Sequence, residues 1–598
     1  MCRWKSVAAA ALLASTVMAA QEYDPLPAVA EFTGIMSPEE MDEEETERLE
    51  DFLNRPLRIN MANPSRLRSS GLLTHYQVVS LMDYRTRHGD ILSLTELAAV
   101  DGFGQDFVRR LAPFISLASS RSAGQTGSDL KRISHELDLK TGIKSSDGMN
   151  VNYAVRYRIE AGESLQASVA LSKSYEAGRP DALTGNVLWH FKRHTSKIVA
   201  GDFNARFGQG LALWNGMGIS GYSKPSSFLK RSTALSPSGS FTGNYAFRGL
   251  AMESLFGRFR LTALAAFEDT DEDPVLLPGA NLSWLWRSGQ AGLTHYLRYT
   301  SIFSGPVIED MKTACDFAFT ADGVDVFGES SYDWTSRSVA ALAGVVFPVV
   351  EDFSMAAMLR YYPTLYNPTY SASLRSLTKC SNEYATSISA EFTSGAWLKK
   401  NGVDGFGASV RRFDGAFCAD AAYFPESKSD DGTESFQVKS LLEMKIMLSS
   451  SVAMSLRVNE RFRTWGKPFR TDARLDVFVY SRHFDVSFRI NALKCERMSF
   501  LAYAEGCLKS GSIKAYLRSG VFLVDTWDDR IYAYERDVPG SFNVPAFYGR
   551  GVWASLTGNW RFARWGRIYA RASVTEYLFD EKKKPGKAEL KLMLRIEI

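Results

Sequence analysis

Beyond its N-terminus the chain has no run of about 18 uninterrupted apolar residues, so no helix of it is expected to cross a membrane, although 45% of its 598 residues are hydrophobic. A membrane role therefore falls to strands. Cysteine is scarce: there are six. Cys2 precedes the N-terminal apolar run instead of following it, which excludes a lipobox, and Cys315, Cys380, Cys418, Cys495 and Cys507 are scattered and odd in number. That spacing argues against a disulfide scaffold and against a zinc knuckle. Catalytic signatures are also missing. The chain has no HExxH, no Walker loop, no GxSxG elbow and no CxxC, and GFGQDF lacks the third glycine of a dinucleotide fingerprint. His190 and His194 in HFKRH would stand about 13 Å apart in a strand, too far to share a metal. The expectation is no cofactor, no metal and no enzyme, with His135, His295 and His483 the candidates for a dispersed hydrolytic site. A formal charge of +3 excludes little.

What is present divides the chain into zones. MCRWKSVAAAALLASTVMAA has Arg3 and Lys5 ahead of an apolar stretch from Val7 to Met18 and then small residues; this reads as a secretory signal over residues 1–19, cut after Ala19 or, as the alternative, after Ala20. Residues 20–52 form an acidic segment. From Glu31 to Asp51 ten acids stand against one base, Arg48, and Ser37, Pro38 and Glu40 look like a capped helix start. Such a run is either a solvated helix leading into the next domain or an acidic segment that competes for a basic surface nearby. Residues 119–132, within SLASSRSAGQTGSD and its continuation, have linker composition.

From residue 133 to 598 the texture is period two. FDVSFRIN sets Phe484, Val486, Phe488 and Ile490 against Asp485, Ser487, Arg489 and Asn491; VAMSLRVNERF and GRIYARASV repeat the pattern. Alternation of this kind gives each strand one apolar and one polar face. A soluble sandwich alternates too, but many of these segments outrun the usual five or six residues of globular strands, and aromatics cluster near segment ends, as in SWLWRSG and NWRFARWG. The terminal KLMLRIEI alternates to the last residue, in the manner of the strand read by the barrel-assembly machinery, with Ile598 where such signals commonly carry an aromatic. About 460 residues at roughly 20 per strand and turn predict an antiparallel transmembrane β-barrel of about 20 to 24 strands, best taken as 22. Arg457, Arg489, Arg567 and Arg571 are then expected to face a wet lumen.

Residues 53–118 read as a small all-α domain. In LAAVDGFGQDFVRRLAPFI, Gly102 and Gly104 flank Phe103 and permit a tight turn, and the helix beginning near Gln105 offers free amides to an anion. Arg109 and Arg110 follow, and a first turn at Gly71 is preceded by Arg66 and Arg68. From Leu53 to Ala118 eight arginines stand against five acids. With Ile59, Asn60 and Ala62 ahead of Leu67, YRTRHG from Tyr84 to Gly89, then Leu94, Leu97 and Val100–Gly104, the segment resembles the tandem helix-hairpin-helix domain of ComEA-like competence proteins. The first hairpin departs from that pattern, with Leu73 where the second glycine is expected. The resemblance implies a DNA phosphate-binding set of Gly102, Phe103, Gly104, Gln105, Arg109, Arg110, Gly71, Arg66 and Arg68. GDFNARFGQGLALWNGM (201–217) and YERDVPGSFNVPAFYGRG (534–551) resemble stretches of Gram-negative outer-membrane proteins that carry such a domain at the N-terminus. They are inward-folded loops, structured rims or ordinary turns.

Two functions follow as expectations. One is an outer-membrane barrel whose periplasmic helical domain binds nucleic-acid backbone without sequence preference, in DNA uptake or retention. The other is a transport or scaffold barrel whose helical domain docks a periplasmic protein partner or plugs the lumen. Outer-membrane lipid and the barrel-assembly machinery are expected partners of both.

Overall fold

The computed structural model describes residues 25–36, 41, 43–118, 133–145, 148–162, 164–191, 196–216, 218, 223–242, 245–268, 274–300, 305–350, 352–394, 412–580 and 584–598. The signal segment, the expected cap at Ser37–Glu40 and the linker at 119–132 lie outside the described residues.

Strands of 9 to 15 residues, from Leu165–Lys173 to Val307–Ala321, run antiparallel to their neighbours and close into a barrel. Lys587–Glu597 pairs antiparallel with Ile133–Ser145, from Ala588 opposite Ser145 to Glu597 opposite Glu136. The closed order holds 25 strands, one of them the four-residue Ala234–Pro237, which pairs with the inner end of Ser196–Arg206 while that strand also pairs directly with Phe247–Phe256. Without that short insert the barrel has 24 staves, not 22. Two-residue turns such as Gly257–Arg258 and Gly511–Ser512 consume less chain than the sequence reading allowed. Closure satisfies every strand edge, which a sheet in hydrocarbon requires.

Period two decides the faces. Leu456, Phe488, Ile490 and Leu592 point outward and are exposed, whereas Arg457, Arg571, Lys591 and Arg595 are buried inside. Exposed aromatics mark both ends of the wall, Trp189, Trp284 and Trp560 at the end with the short turns and Tyr361, Tyr423 and Phe469 at the other, where interfacial girdles fall. At the opposite end the connections are long: 207–246, 363–382 and 525–548.

Six helices precede the barrel among the described residues: α1 (Pro25–Thr33), α2 (Glu43–Asn54), α3 (Pro64–Ser69), α4 (His75–His88), α5 (Leu94–Ala98) and α6 (Gly104–Leu111). Local chemistry starts three of them: Asn63 caps α3 ahead of Pro64, Thr74 and Gln77 form a capping box on α4, and Ser93 caps α5. Leu57–Arg58 and Ile115–Ser116 pair in parallel, and the Asn60 amide ties them down through the carbonyls of Ile91 (2.9 Å) and Leu117 (3.0 Å). Val29, Phe32 and Leu49 share one apolar core with Leu67, Leu81, Leu97, Leu111 and Phe114. A boundary at residue 53 therefore falls inside one packed unit. This unit does not hang free of the barrel. It occupies the lumen, which is filled with protein where a wet channel was expected.

Candidate functional site

The acidic run finds its purpose on α2. Its carboxylates lie along the inner wall of the barrel, where Arg156 and Arg158 of the strand Met149–Ala161 and Arg206 of Ser196–Arg206 point inward. Glu45 meets Arg206 (2.8 Å), Asp51 meets Arg158 (2.7 Å) and Glu47 meets Arg156. Glu44 accepts hydrogen bonds from Asn204 (2.6 Å) and Ser238 (2.9 Å). Burial alone would raise the Glu45 carboxyl, but Arg48 and Arg206 outweigh it and hold it down to about 2. Asp51 is likewise held below its ordinary value, with Arg158 and Arg156 overriding the cost of burial. Elsewhere around the unit Arg55 pairs with Glu136 (2.5 Å), Arg110 with Glu391 (3.5 Å), and Arg457 donates to the Met36 carbonyl (3.0 Å). At the short-turn end His75 bonds the Trp286 carbonyl (3.0 Å); burial, with Arg260 and Arg68 nearby, pushes its imidazole down to about 4 and keeps it neutral.

From the other end the three long connections fold inward, and each of the two glycine-rich motifs runs between such a connection and a wall strand, Ser196–Arg206 for the first and Gly549–Ala563 for the second. Gly208 and Gly210 adopt positive φ (57° and 82°), which turns the amides of Gln209, Leu211 and Ala212 onto the Glu329 carboxylate of the wall at 2.6, 3.0 and 3.0 Å. Such a nest satisfies a buried carboxylate with backbone alone. The segment at 363–382 crosses to the same loop: Tyr366 donates to the Leu211 carbonyl (2.9 Å), Ala372 to Gly210 (2.8 Å), and Lys230 to Ala372. Lys230 sits 4.2 Å from the Trp214 ring centroid, and burial lowers its ammonium to about 7. In the third connection Glu535, Arg536 and Asp537 match the charges of the wall in order, pairing with Arg571 (2.6 Å), Glu505 (3.0 Å) and Lys591 (2.6 Å). The parts of the motifs beyond those strands, 207–216 and 534–548, are thus inward-folded loops, held to the wall by complementary groups.

The residues expected to hold phosphate are not brought together. Gly71 is buried with φ 66°, and a Cβ there would lie 2.8 Å from Arg48 Nη1 and 2.9 Å from Thr233 Cγ2. Arg66 lines a polar gap of about 230 Å³ between the helices and the wall, and Arg68 faces Glu253 and Arg260. The second turn is different: Gly102, Gly104 and Gln105 are exposed, Phe103 is buried beneath them, and both glycines have positive φ (80° and 66°). Arg109 is engaged by Asp106 (2.6 Å) and Glu31 (3.5 Å), and Arg110 by Asp106 (3.1 Å). The basic surplus of the helical unit is largely spent, with Arg85 bonded to the carbonyls of Asn60 and Ala62 and Arg87 to Asp83. The sequence reading offered a basic surface nearby as one counterpart of the acidic run but did not identify it as Arg156, Arg158 and Arg206. The signal was an acidic run facing an inward arginine periodicity, visible only once the two were known to share a lumen.

No protein-family model matches the chain, and no curated protein matches it. Solved structures that match include the siderophore receptor PirA from Pseudomonas aeruginosa (8% identity, 78% of this chain and 80% of that one, TM-score 0.39). Others are the copper transporter OprC (9% identity, 78% and 80%, TM-score 0.39) and the translocation pore of the P pilus usher PapC (7% identity, 78% and 99%, TM-score 0.29). At such identity the neighbours say nothing of what this chain carries.

Proposed function

We propose that the chain is a gated transport barrel of the outer membrane, its short-turn end facing the periplasm, and that the helical unit is its movable plug. One observation carries the reading. The helical unit closes an apolar core of its own, whereas its contact with the barrel wall is made largely of ion pairs and hydrogen bonds. A body built so leaves its seat without unfolding, because the groups it uncovers are ones that water solvates well. Charge reversal of the α2 carboxylates tests it. In planar bilayers the wild type is expected to conduct little, and Glu44→Lys combined with Glu47→Lys and Asp51→Lys, which sets like charge against Arg156, Arg158 and Arg206, is expected to open a large conductance. Heat-modifiable gel migration must first match the wild type. Equal, low conductance of both proteins removes the plug reading.

Binding of nucleic-acid backbone at a helix-hairpin-helix turn is the second reading, favoured by the exposed, left-handed Gly102 and Gly104 at the first turn of α6. It retains one hairpin of two, since Gly71 is buried against Arg48 and Thr233. Salt-sensitive retardation of duplex DNA by the full-length protein, lost in Gly104→Ala, supports it; absence of any retardation at micromolar protein removes it.

A further inference from the structure

A small cavity of about 50 Å³ lies at the short-turn end of the lumen, where the helical unit, the wall and the inward loop at 223–242 meet. The helical unit lends it Arg68 and the start of α4, from the capping Thr74 to His75 and Tyr76. The wall lends Arg260, just past the Gly257–Arg258 turn, and the loop lends Lys230 and Arg231. Among the described residues no acid lines it.

Three of these cations are without an ion pair among the described residues. Arg260 is 4% exposed; its Nη2 donates to the Ser283 hydroxyl (3.1 Å), and its Nε is buried with no partner. The Arg68 guanidinium donates no hydrogen bond among the described residues, and its Nε is buried too. Arg231 is met by rings, with the centroids of Phe32 and Phe107 at 4.6 and 5.6 Å. Lys230, by contrast, is committed to the Ala372 carbonyl. The acids that act on the three from farther off are engaged or distant. Glu253 attracts Arg68 and Arg260 but pairs with Lys197 (3.4 Å), and Glu45 attracts Arg231 but pairs with Arg206. Asp325 also attracts Arg231 and accepts from Thr320 (2.5 Å), while Asp316 acts on Arg260 from beyond ion-pair distance. Burial, with Arg260 acting on Arg68 and Arg110 on Arg231, pulls both guanidiniums down to about 10, as befits cations short of counter-charge. At the start of α4 the Thr74 hydroxyl takes the Gln77 amide (3.3 Å), which leaves the amides of His75 and Tyr76 as free donors of the helix end.

We propose that this cavity binds a phosphate-sized oxyanion that bridges the helical unit, the wall and the loop. Guanidiniums and a helix start are the donors such ions take. A doubly charged ion offsets buried cations that are otherwise costly, in a space that admits a few waters. The inference goes beyond the plug reading: it needs the helical unit seated in the lumen, not moving.

Isothermal titration of the full-length protein in neutral detergent, at constant ionic strength, tests it with phosphate, sulfate, glycerol 3-phosphate and chloride. Phosphate and sulfate are expected to bind saturably, with chloride weaker by about tenfold or more. Arg68→Gln and Arg260→Gln are each expected to weaken phosphate by about tenfold or more, whereas Arg87→Gln, at an exposed arginine outside the cavity, leaves it unchanged. Heat-modifiable migration of each variant must match the wild type; should Arg260→Gln fail to assemble, Arg231→Gln replaces it. Weaker binding of glycerol 3-phosphate than of phosphate assigns the site to the free ion, and equal binding supports the site with a phosphate headgroup as its source. Absence of saturable phosphate binding to the wild type, chloride bound as tightly, or equal binding by Arg68→Gln and Arg87→Gln overturns the proposal. Because binding is read without conductance, its failure leaves the plug reading standing, and the reverse also holds.

Discussion

The lumen is filled from both ends, and the two fillings differ in what holds them: to ion pairs such as Glu535–Arg571 and Asp537–Lys591 the inward loops add apolar clusters with the wall, which the helical unit largely lacks. The inward loops are cemented to the wall by apolar clusters: Phe203, Phe207, Leu213 and Leu235 in one, Leu211, Phe228, Phe327 and Tyr366 in another, Ile531, Phe547, Phe522 and Trp553 in a third. The helical unit keeps its apolar residues to itself and meets the wall mostly through charge. Its apolar contacts with the rest are few: Met36 against Cys418 and Leu441, Tyr534 and Phe542 against the helical core, and Arg231 over the Phe32 ring at 4.6 Å. Loops are thus part of the barrel, and the helical unit is a guest. The sharpest way to break this contrast is Phe228→Ala. Removing a fully buried ring costs about 3–5 kcal/mol and is expected to free the loop at 223–242, read as new protease cleavage there, while helices α3 to α6 stay protected. Equal loosening of both fillings would erase the distinction.

The second test asks whether the wall itself separates lipid from lumen. Phe488 is half exposed on the outer face and Arg489 pairs inward with Asp476 at 2.5 Å. Phe488→Arg is expected to cost about 2–4 kcal/mol near mid-membrane and to reduce the heat-modifiable form on gels, whereas Arg489→Gln assembles. An inverted result would reverse the faces of the whole strand.

Period two made the barrel legible. Phe488 against Arg489 and Leu592 against Arg595 could be assigned from alternation because a strand repeats its geometry every second residue. Strand number was legible only to within a few, since it depends on turn length, and a turn such as Gly257–Arg258 leaves little trace in composition. The helical character of residues 53–118 was legible from the turn glycines Gly71, Gly102 and Gly104, while the caps at Thr74 and Ser93 emerged only from the structure. The location of the helices was not legible. Whether Arg68 faces solvent or Glu253 depends on contacts between residues far apart in the chain, which no local pattern encodes. For the same reason the nest around Glu329 was invisible: Gly208 and Gly210 announced a turn but not the carboxylate 120 residues away that the turn exists to hold.

A smaller effect sharpens the contrast between the two glycines of the second hairpin. Both have positive φ, so an alanine at either costs about 1–2 kcal/mol. At Gly102 the new Cβ would also fall 2.7 Å from the Tyr76 ring, whereas at Gly104 nothing lies within 4 Å. Gly102→Ala is therefore expected to lower the denaturation midpoint of the helices more than Gly104→Ala. Identical midpoints would mean that Tyr76 yields without cost.

The smallest expected effect tests the ionic seat of the plug through pH. The folded values of Glu45 and Asp51 both lie below the ordinary carboxylate range, Glu45 at about 2. A group depressed on folding contributes stability that is complete above its unfolded value, near pH 4.5 at roughly the ordinary Glu range, and that fades as pH falls through the folded value. Acidification from about pH 4.5 toward 2 should therefore weaken the hold of α2 on Arg206 and Arg158, and conductance of the wild type should rise over that window and not above it. Each pair is worth roughly 1 kcal/mol or less, because the Glu45 side chain retains 29% exposure and water screens it. Several pairs must loosen together, so the rise should be gradual. High salt at neutral pH should imitate it in part, since screening acts on the same contacts. The Phe228 anchor carries no charge, so acid should leave the loop at 223–242 protected from protease while the plug loosens. Loops and plug yielding at the same pH would show that one cooperative body fills the lumen.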